Sequence, residues 1–333
     1  MIRCLRFFCC VCLPLLPLAG LAQQQTWRSA DGQHSFQGEF VRLHNEVVTL
    51  RGTDGVEIQV PLVRLDSESQ TRARAARLSP EQRRNLLLLH ETPHYRVTFH
   101  NERNLMRFQQ LENGNETPHP IVRLDLQHFE TVNQIREFHQ FVRMDAPLRQ
   151  EGTTVIWRGR MANDVIFEFE FELGDNGVEF GYRREVPASL RDANLNQWIY
   201  FRLPAWLTWN EDTRKLHGPL APQGISREEI PAMFKDFVFR RRGHDNRRLQ
   251  NLDFTEVYAA SAGMGRQSFI EIRGPFSQNG LEFSSPRREE EGSLGFWFYE
   301  GGRPAYMGFT ITTRYPGGPD PRRIPGRFGI HSK

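Results

Sequence analysis

Glu168, Glu170 and Glu172 alternate with Phe167, Phe169 and Phe171. On a strand rising about 3.3 Å per residue, neighbouring carboxylates of such a row stand roughly 6–7 Å apart. That separation suits a carboxylate pair that hydrolyses a glycosidic bond, or oxygen ligands around a hard cation. It equally suits a solvated strand face whose charges pair across the sheet with Arg158, Arg160, Arg183 or Arg184. The three glutamates are weak catalytic candidates, and no metal is assigned to them. Arg123, Asp125 and Gln127 form a second outward row open to the same two readings.

The densest charge run is Arg240, Arg241, Arg242, Gly243, His244, Asp245, Asn246, Arg247, Arg248. Guanidinium groups around a turn can grip carboxylate, sulfate or phosphate with paired hydrogen bonds, and an acidic polysaccharide is the natural ligand outside a cell. The alternative is a solvated hairpin tip. Trp206 and Trp209, with Trp198 and Tyr200 nearby, could stack on sugar rings or fill a core. Eight histidines lie between residues 90 and 244, none at a metal-ligand spacing. No His-Glu-x-x-His, Gly-x-Ser-x-Gly or phosphate-loop string is present. No metal or other cofactor is expected. Catalysis stays open, with a binding role favoured.

These residues need strands to position them. Val165–Leu173 alternates strictly, Gly174-Asp175-Asn176-Gly177 turns the chain, and Val178–Tyr182 returns, which predicts a hairpin. Further strands are expected at 95–99, 121–126, 154–158, 198–203, 237–241, 269–273, 281–284, 294–299 and 307–312. Thr131-x-x-Gln134 and Ser226-x-x-Glu229 each carry a helix-capping pattern, the first with Val132, Ile135 and Phe138 turned inward. The count and spacing of strands predict a large antiparallel β-sandwich over 94–315, followed by a flexible Pro/Gly/Arg-rich tail at 316–333. A helical linker is expected over 71–93, starting again at Ser79-Pro80 and running through Leu86–Leu89.

The stretch from Trp27 to Gln70 is a separate small unit of short strands. Asp31-Gly32 and Asp54-Gly55 mark tight turns. Val56, Ile58, Val60 and Leu62 alternate, and a bulge near Phe40 would reconcile the phase of Phe36 and Phe40 with that of Val41 and Leu43. The order Glu39-Phe40-Val41-x-Leu43, Val47-x-x-Leu50, Asp54-Gly55-x-x-Ile58-x-Val60-Pro61-Leu62-x-x-Leu65 resembles the Sla homology domain, type one. The resemblance covers about an eighth of the chain. It implies a small Src-homology-3-like barrel at 23–70. It also implies peptide or protein binding, since the endocytic adaptor of that family takes Asn-Pro-Phe peptides and the wider family is linked to bridging, ubiquitin and cytoskeletal binding. Where the family continues Leu-Ser-x-x-Asp, this chain has Leu65-Asp66-Ser67-Glu68-Ser69. Trp27 is either an aromatic of a peptide groove or a core plug.

The first 22 residues read as a secretory leader: Arg3 and Arg6, an apolar run broken by Pro14 and Pro17, and Gly20-Leu21-Ala22 before Gln23. All four cysteines lie within it, so the exported chain has no disulfide or thiolate chemistry. Removing Arg3 and Arg6 takes the 43 basic residues to 41, against 40 acidic. Such balance gives no field for nucleic acid, and no later run is apolar enough to span a membrane. The chain is therefore expected in a periplasm, at a cell surface or outside the cell. It reads as a mainly β, exported binding or bridging protein that meets a peptide or an envelope protein. The alternative is a β-sandwich that binds or cleaves glycans, acidic or neutral.

Overall fold

The computed structural model describes residues 24–44, 46–112, 115–116, 122–245, 248–253, 264–274, 277–300, 306–314 and 326–333. Residues 1–22, expected above to be a leader, Arg247 and residues 316–325 of the expected tail lie outside these. The protein is mainly β and divides into two compact units, Met1–Ser79 and Pro80–Lys333. Among the described residues no helix is long and apolar enough to cross a membrane.

The first unit is an antiparallel meander of β1 (Gln25–Arg28), β2 (Ser35–His44), β3 (Val47–Gly52) and β4 (Glu57–Pro61). Gly32 and Gly55 take φ of 70° and 80° at the turns, where any Cβ would be strained. The register of β2 on β3 slips between Phe40 and Arg42. This is the bulge that the phase change demanded, and it lets Phe36, Phe40 and Leu43 all pack on one core. Trp27 closes that core. It is 1% exposed, its indole N–H donates to the Gly38 carbonyl at 3.0 Å, and its ring stacks on Phe40. Val56 lies ahead of β4 and is exposed, while Leu62 is fully buried. The ladder is an open four-stranded sheet; the segment after β4 returns to β1 through a single bridge, Ser29 to Leu65. Helix α1 (Ser67–Ala75), capped by Asp66, then satisfies the outer edge of β1. Ser69 Oγ accepts from the Arg28 N–H, and Arg72 donates to the Thr26 carbonyl at 2.5 Å.

The second unit opens with one helical turn, α2 (Pro80–Arg83). Asn85, at φ 55°, then stops it. The expected helix through the four leucines is strand β5 (Leu86–Glu91) instead. An unbroken apolar run fixes no period, and here pairing with the next strand wins. The remaining strands are β6 (Tyr95–His100), β7 (Asn104–Glu112), β8 (Asn115–Glu116), β9 (Val122–Val132), β10 (Ile135–His139), β11 (Phe141–Met144), β12 (Arg149–Glu151), β13 (Thr154–Met161), β14 (Ile166–Leu173), β15 (Gly177–Glu185), β16 (Leu195–Arg202), β17 (Leu207–Asn210), β18 (Lys215–Gly218), β19 (Ala221–Ile225), β20 (Val238–Gly243), β21 (Gln250–Leu252), β22 (Met264–Gly274), β23 (Ser277–Ser284), β24 (Ser293–Glu300), β25 (Tyr306–Arg314) and β26 (Phe328–Ser332).

All these pairings are antiparallel. One run goes β5-β6-β7-β9-β16-β25-β24, another β13-β14-β15-β26-β23. The long strand β22 pairs with β24 through its first half and β23 through its second, so the sheet curls over itself there. The two runs face each other as a sandwich. Phe99 meets Phe171 at 4.9 Å, Phe201 meets Phe180 at 5.7 Å and Phe283 at 5.0 Å. Tyr95 donates to the Gly174 carbonyl at 2.7 Å and Trp157 to the His100 carbonyl at 2.9 Å, so the polar tips of both rings are satisfied inside.

Two further expectations change. Thr131–Gln134 is no helix start. Asn133 and Gln134 both have positive φ, 49° and 67°, and form the two-residue turn of the β9–β10 hairpin. Ile135 and Phe138 are consequently exposed rather than inward. The end of the tail is not flexible either. Strand β26 lies between β15 and β23, with Phe328 and Ile330 fully buried. Ser226-x-x-Glu229 does form its capping box. Because Ile330 is enclosed on the inner face, Ile330→Ala is expected to cost roughly 2–5 kcal/mol. Urea denaturation of the full chain measures this; an unchanged midpoint would mean that the last strand adds nothing to the sandwich.

Candidate functional site

The glutamate row lies on β14, facing outward as alternation requires, while Phe167, Phe169 and Phe171 are fully buried. Cross-strand register places Glu168 opposite both Arg158 and Arg183. Arg158 donates to Glu168 at 3.0 Å, and Arg183 pairs with the other oxygen. Arg158 also reaches Glu185 at 2.6 Å and Asp145 at 2.9 Å, and Arg160 reaches Asp145 at 2.5 Å. Glu172 accepts from Thr153 and Thr154, and Glu170 lies 3.7 Å from Arg327. Burial works against ionising Glu168, but hydrogen bonds from Arg158 and Arg183 outweigh it and hold its carboxyl below the usual range. The hydrogen bond from Arg158 does the same for Asp145, and the two threonine hydroxyls do so for Glu172. Acid catalysis on a sugar needs one carboxyl pushed up so that it keeps a proton at neutral pH. Glu168 and Glu172 are both shifted the other way. The row is an ion-pair lattice over the second layer. Arg184 takes no part, because it faces inward and donates to the Leu195 carbonyl and, at 2.7 Å, to Gln197.

The other candidates are dispersed. Arg240, on β20, pairs with the buried Glu271, which also takes Arg273 at 2.6 Å and Lys333 at 3.5 Å. Arg242 covers the Phe269 ring at 5.0 Å, Arg241 follows between them on the strand, and Arg248 is exposed beyond it. Trp206 is half-buried, and its backbone lies against Gly308. Trp209 packs on the core from β17. Trp27 is core and offers no groove. Among the described residues no group of His, Cys, Asp and Glu is placed to hold a metal.

The structure does assemble a different surface, the outer face of the first layer. Register aligns Thr98, Arg107, Arg123, Arg202, Thr310 and Trp297 in one row across β6, β7, β9, β16, β25 and β24. The next row holds Asn104, Asp125, Tyr200, Thr312 and Gly295, and beyond it Gln127 faces Trp198. Asp125 is fully buried and clamped by Arg202 at 2.5 Å and Arg103 at 2.8 Å. Arg107 pairs with Glu102. Trp198 stands edge-on to Phe129 at 4.7 Å and to Tyr200 at 5.9 Å, under the Arg136 guanidinium at 4.8 Å. Trp297 lies over Gly295, where a Cβ would come within 2.7 Å of its Nε1; it donates to Thr312 at 3.1 Å and carries Arg314 at 4.6 Å. Arg123, Gln127, Trp198, Tyr200, Arg202 and Trp297 are all half-buried, hence held in place and still accessible.

Part of this face is visible in the sequence as the outward row Arg123, Asp125, Gln127. The alternation of Trp198, Tyr200 and Arg202 with Ile199 and Phe201 is the further sequence signal that puts these three on one face. Nothing local says that β16 pairs with β9 and β25. No protein-family model matches the chain, nor does any curated protein.

Two buried histidines border this framework. His100 donates from Nδ1 to the Arg84 carbonyl and accepts from Thr98 at Nε2; His128 donates from Nδ1 to the Asn196 carbonyl and accepts from Asn163. Burial, with the nearby Arg107 charge for His100, pushes both down to about 4 from an ordinary 6.5. Between these values the unfolded chain binds more protons than the folded one, so stability must fall as pH falls through that window. The slope approaches ~1.4 kcal/mol per pH unit for each histidine. The paired carboxylates add their loss only lower, below their ordinary 4.5 and 3.8. His331, which burial also pushes down, adds to the same fall. Urea midpoints measured from pH 7.5 to 4 are expected to drop, and His128→Gln to remove part of the drop above pH 4.5; a flat wild-type profile would show that these rings are not held neutral.

Proposed function

We propose that this chain is an exported binding protein and that the outer face of β7, β9, β16, β25 and β24 takes a polysaccharide. The observation that carries the reading is the alignment of half-buried Trp198, Tyr200 and Trp297 beside rows of arginine, threonine and glutamine side chains. Aromatic faces receive the C–H faces of sugar rings, while the fixed polar groups between them bond to hydroxyls. An extended row across several strands suits a linear polymer better than a compact small molecule. The depressed carboxyls of Glu168, held by two arginines, and of Glu172, held by two threonine hydroxyls, favour binding over hydrolysis. Export rests on the leader-like first 22 residues.

A glycan array probed with the full chain is expected to give polysaccharide binding that Trp198→Ala weakens by about tenfold, a loss near 1.4 kcal/mol. The melting curve of the variant distinguishes lost contact from lost folding. If no glycan is bound, or if a folded Trp198→Ala variant binds as well as the wild type, the face is not a sugar platform.

A second reading concerns the first unit. We propose that it docks a short peptide or an envelope protein, as the Sla homology resemblance implies. A cleft of ≈ 410 Å³ beside β1, lined by Gln25, Thr26, Arg28, Asp66, Glu68, Ser69 and Arg72, favours this. Trp27 would support the cleft from beneath, through the Arg72 guanidinium 5.6 Å from its ring, rather than contact the peptide. Fluorescence anisotropy of a labelled Asn-Pro-Phe peptide titrated with the full chain is expected to rise for the wild type and to lose most of the change with Arg28→Ala. No change at millimolar protein would remove this ligand class.

A further inference from the structure

We infer that the end of the inner face formed by β20 and β22 binds a small carboxylate that also carries a hydroxyl group. Alternation on β20 puts Arg241 on the same side as the buried Phe239, and Gly243 follows on that side. Gly243 stands opposite Gln267 of β22, where the register slips by one residue after the pairing of Arg242 with Phe269. Gln267 therefore turns inward as well, and it is 4% exposed. His244 is next along the chain, and its Nε2 lies 3.3 Å from the Ser285 Oγ. The same hydroxyl lies 3.3 Å from the Gln267 carbonyl. Arg241, Gln267, His244 and Ser285 thus share one end of the inner face, beyond the core residues Phe239 and Ile270.

Three of these residues each hold a buried polar atom that has no hydrogen-bond partner: Nε of Arg241, Oε1 of Gln267 and Nδ1 of His244. Turning the Gln267 amide would not help, because its Nε2 donates to the Gly265 carbonyl at 2.7 Å. Arg241 makes no ion pair among the described residues. Glu271 lies on the other side of the sheet and is shared by Arg240, Arg273 and Lys333, and Glu289 is taken by Arg266 at 3.2 Å. Asp245, beside His244, is exposed. Buried polar atoms without partners are few in a folded protein and call for a water, an ion or a ligand. A water can serve the amide oxygen and the imidazole, but it brings no charge to the half-buried guanidinium. A carboxylate does, and accepts from the Arg241 Nε–H. A bare anion would be repelled by the Gln267 Oε1, whereas a hydroxyl on the same molecule donates to it. His244 offers its remaining ring nitrogen as donor or acceptor, according to the proton it carries.

The test is isothermal titration calorimetry of the full chain with glycerate, propionate, glycerol and sulfate. Glycerate has both groups; propionate lacks the hydroxyls, glycerol lacks the carboxylate, and sulfate is a bare oxyanion. Glycerate is expected to bind about tenfold or more tightly than each of the other three. Arg241→Gln, shown to be folded by its melting curve, is expected to lose about tenfold or more of the glycerate affinity. If that variant does not fold, hydrogen–deuterium exchange of the wild type decides instead: glycerate must slow exchange in residues 238–245 and 264–270. The inference is overturned if glycerate gives no binding, as it would where water alone fills the site. It is overturned equally if propionate, glycerol or sulfate binds as tightly, if the folded variant binds glycerate like the wild type, or if exchange in those two segments is unchanged. Neither the polysaccharide face nor the peptide cleft contains these residues, so failure here leaves both of those readings standing.

Discussion

Phe180 is where the second unit is held together. It touches Phe169 and Phe171 on the neighbouring strand, Phe328 on the last strand, and Phe201 across the sandwich, with ring centroids between 5.7 and 6.3 Å. Dispersion between two rings is small, but the same inner face gathers Phe99, Phe167, Phe201 and Phe283, all fully buried. Because a strand has a period of two, choosing the inner set leaves no freedom in the outer one. Burying Phe167, Phe169 and Phe171 turns Glu168, Glu170 and Glu172 out. Burying Ile199 and Phe201 turns Trp198, Tyr200 and Arg202 out. The position of every charged or aromatic group on either outer face follows from the aromatic core.

The two outer faces settle their charges differently. On β13, β14 and β15 each outward-facing arginine stands opposite or diagonal to a carboxylate, and the result is a lattice of ion pairs with its acids held ionised. Such a lattice contributes modestly to stability, since its members are partly solvated. On β7, β9 and β16 register sets arginine opposite arginine, and the one carboxylate within the rows is buried beneath them. The same kind of strand pairing yields a lattice of ion pairs on one side and arginine opposite arginine on the other. Pairing of opposite charges is the ordinary outcome in a sheet, so the second face is the one that calls for a functional reason.

What the sequence disclosed followed from how local each determinant is. The β14–β15 hairpin was legible because its alternation, its turn and both strands lie within about twenty residues. The bulge at Phe40 was legible because the phase of the apolar residues changes within one strand. Leu86–Leu89 misled because consecutive leucines have no phase; a strand pairing with β6 settled them. Thr131–Gln134 misled because a capping pattern and a two-residue turn can share the same residues, and only φ at Asn133 and Gln134 separates them. The tail misled because its composition is dominated by Pro and Gly, while Phe328 and Ile330 at its end supply an inner face that two distant strands complete. The outer face of the first layer is the extreme case. Arg107, Arg123, Arg202 and Trp297 come from four strands spread over most of the unit, and only their register brings them into one row.

Asp125 ties that face to the fold. A fully buried carboxylate is costly unless it is paired, and here two guanidinium groups, Arg202 and Arg103, meet it from different strands and loops. Its charge orients the Arg202 fork and keeps the row from flying apart, and in doing so it is withdrawn from solvent. The negative charge of Asp125 thus lies beneath the row of guanidinium groups rather than beside it. Anything that binds the folded face and not the unfolded chain would also stabilise the fold, because the side chains that it would touch are the ones that Asp125 and its two arginines fix in the first layer.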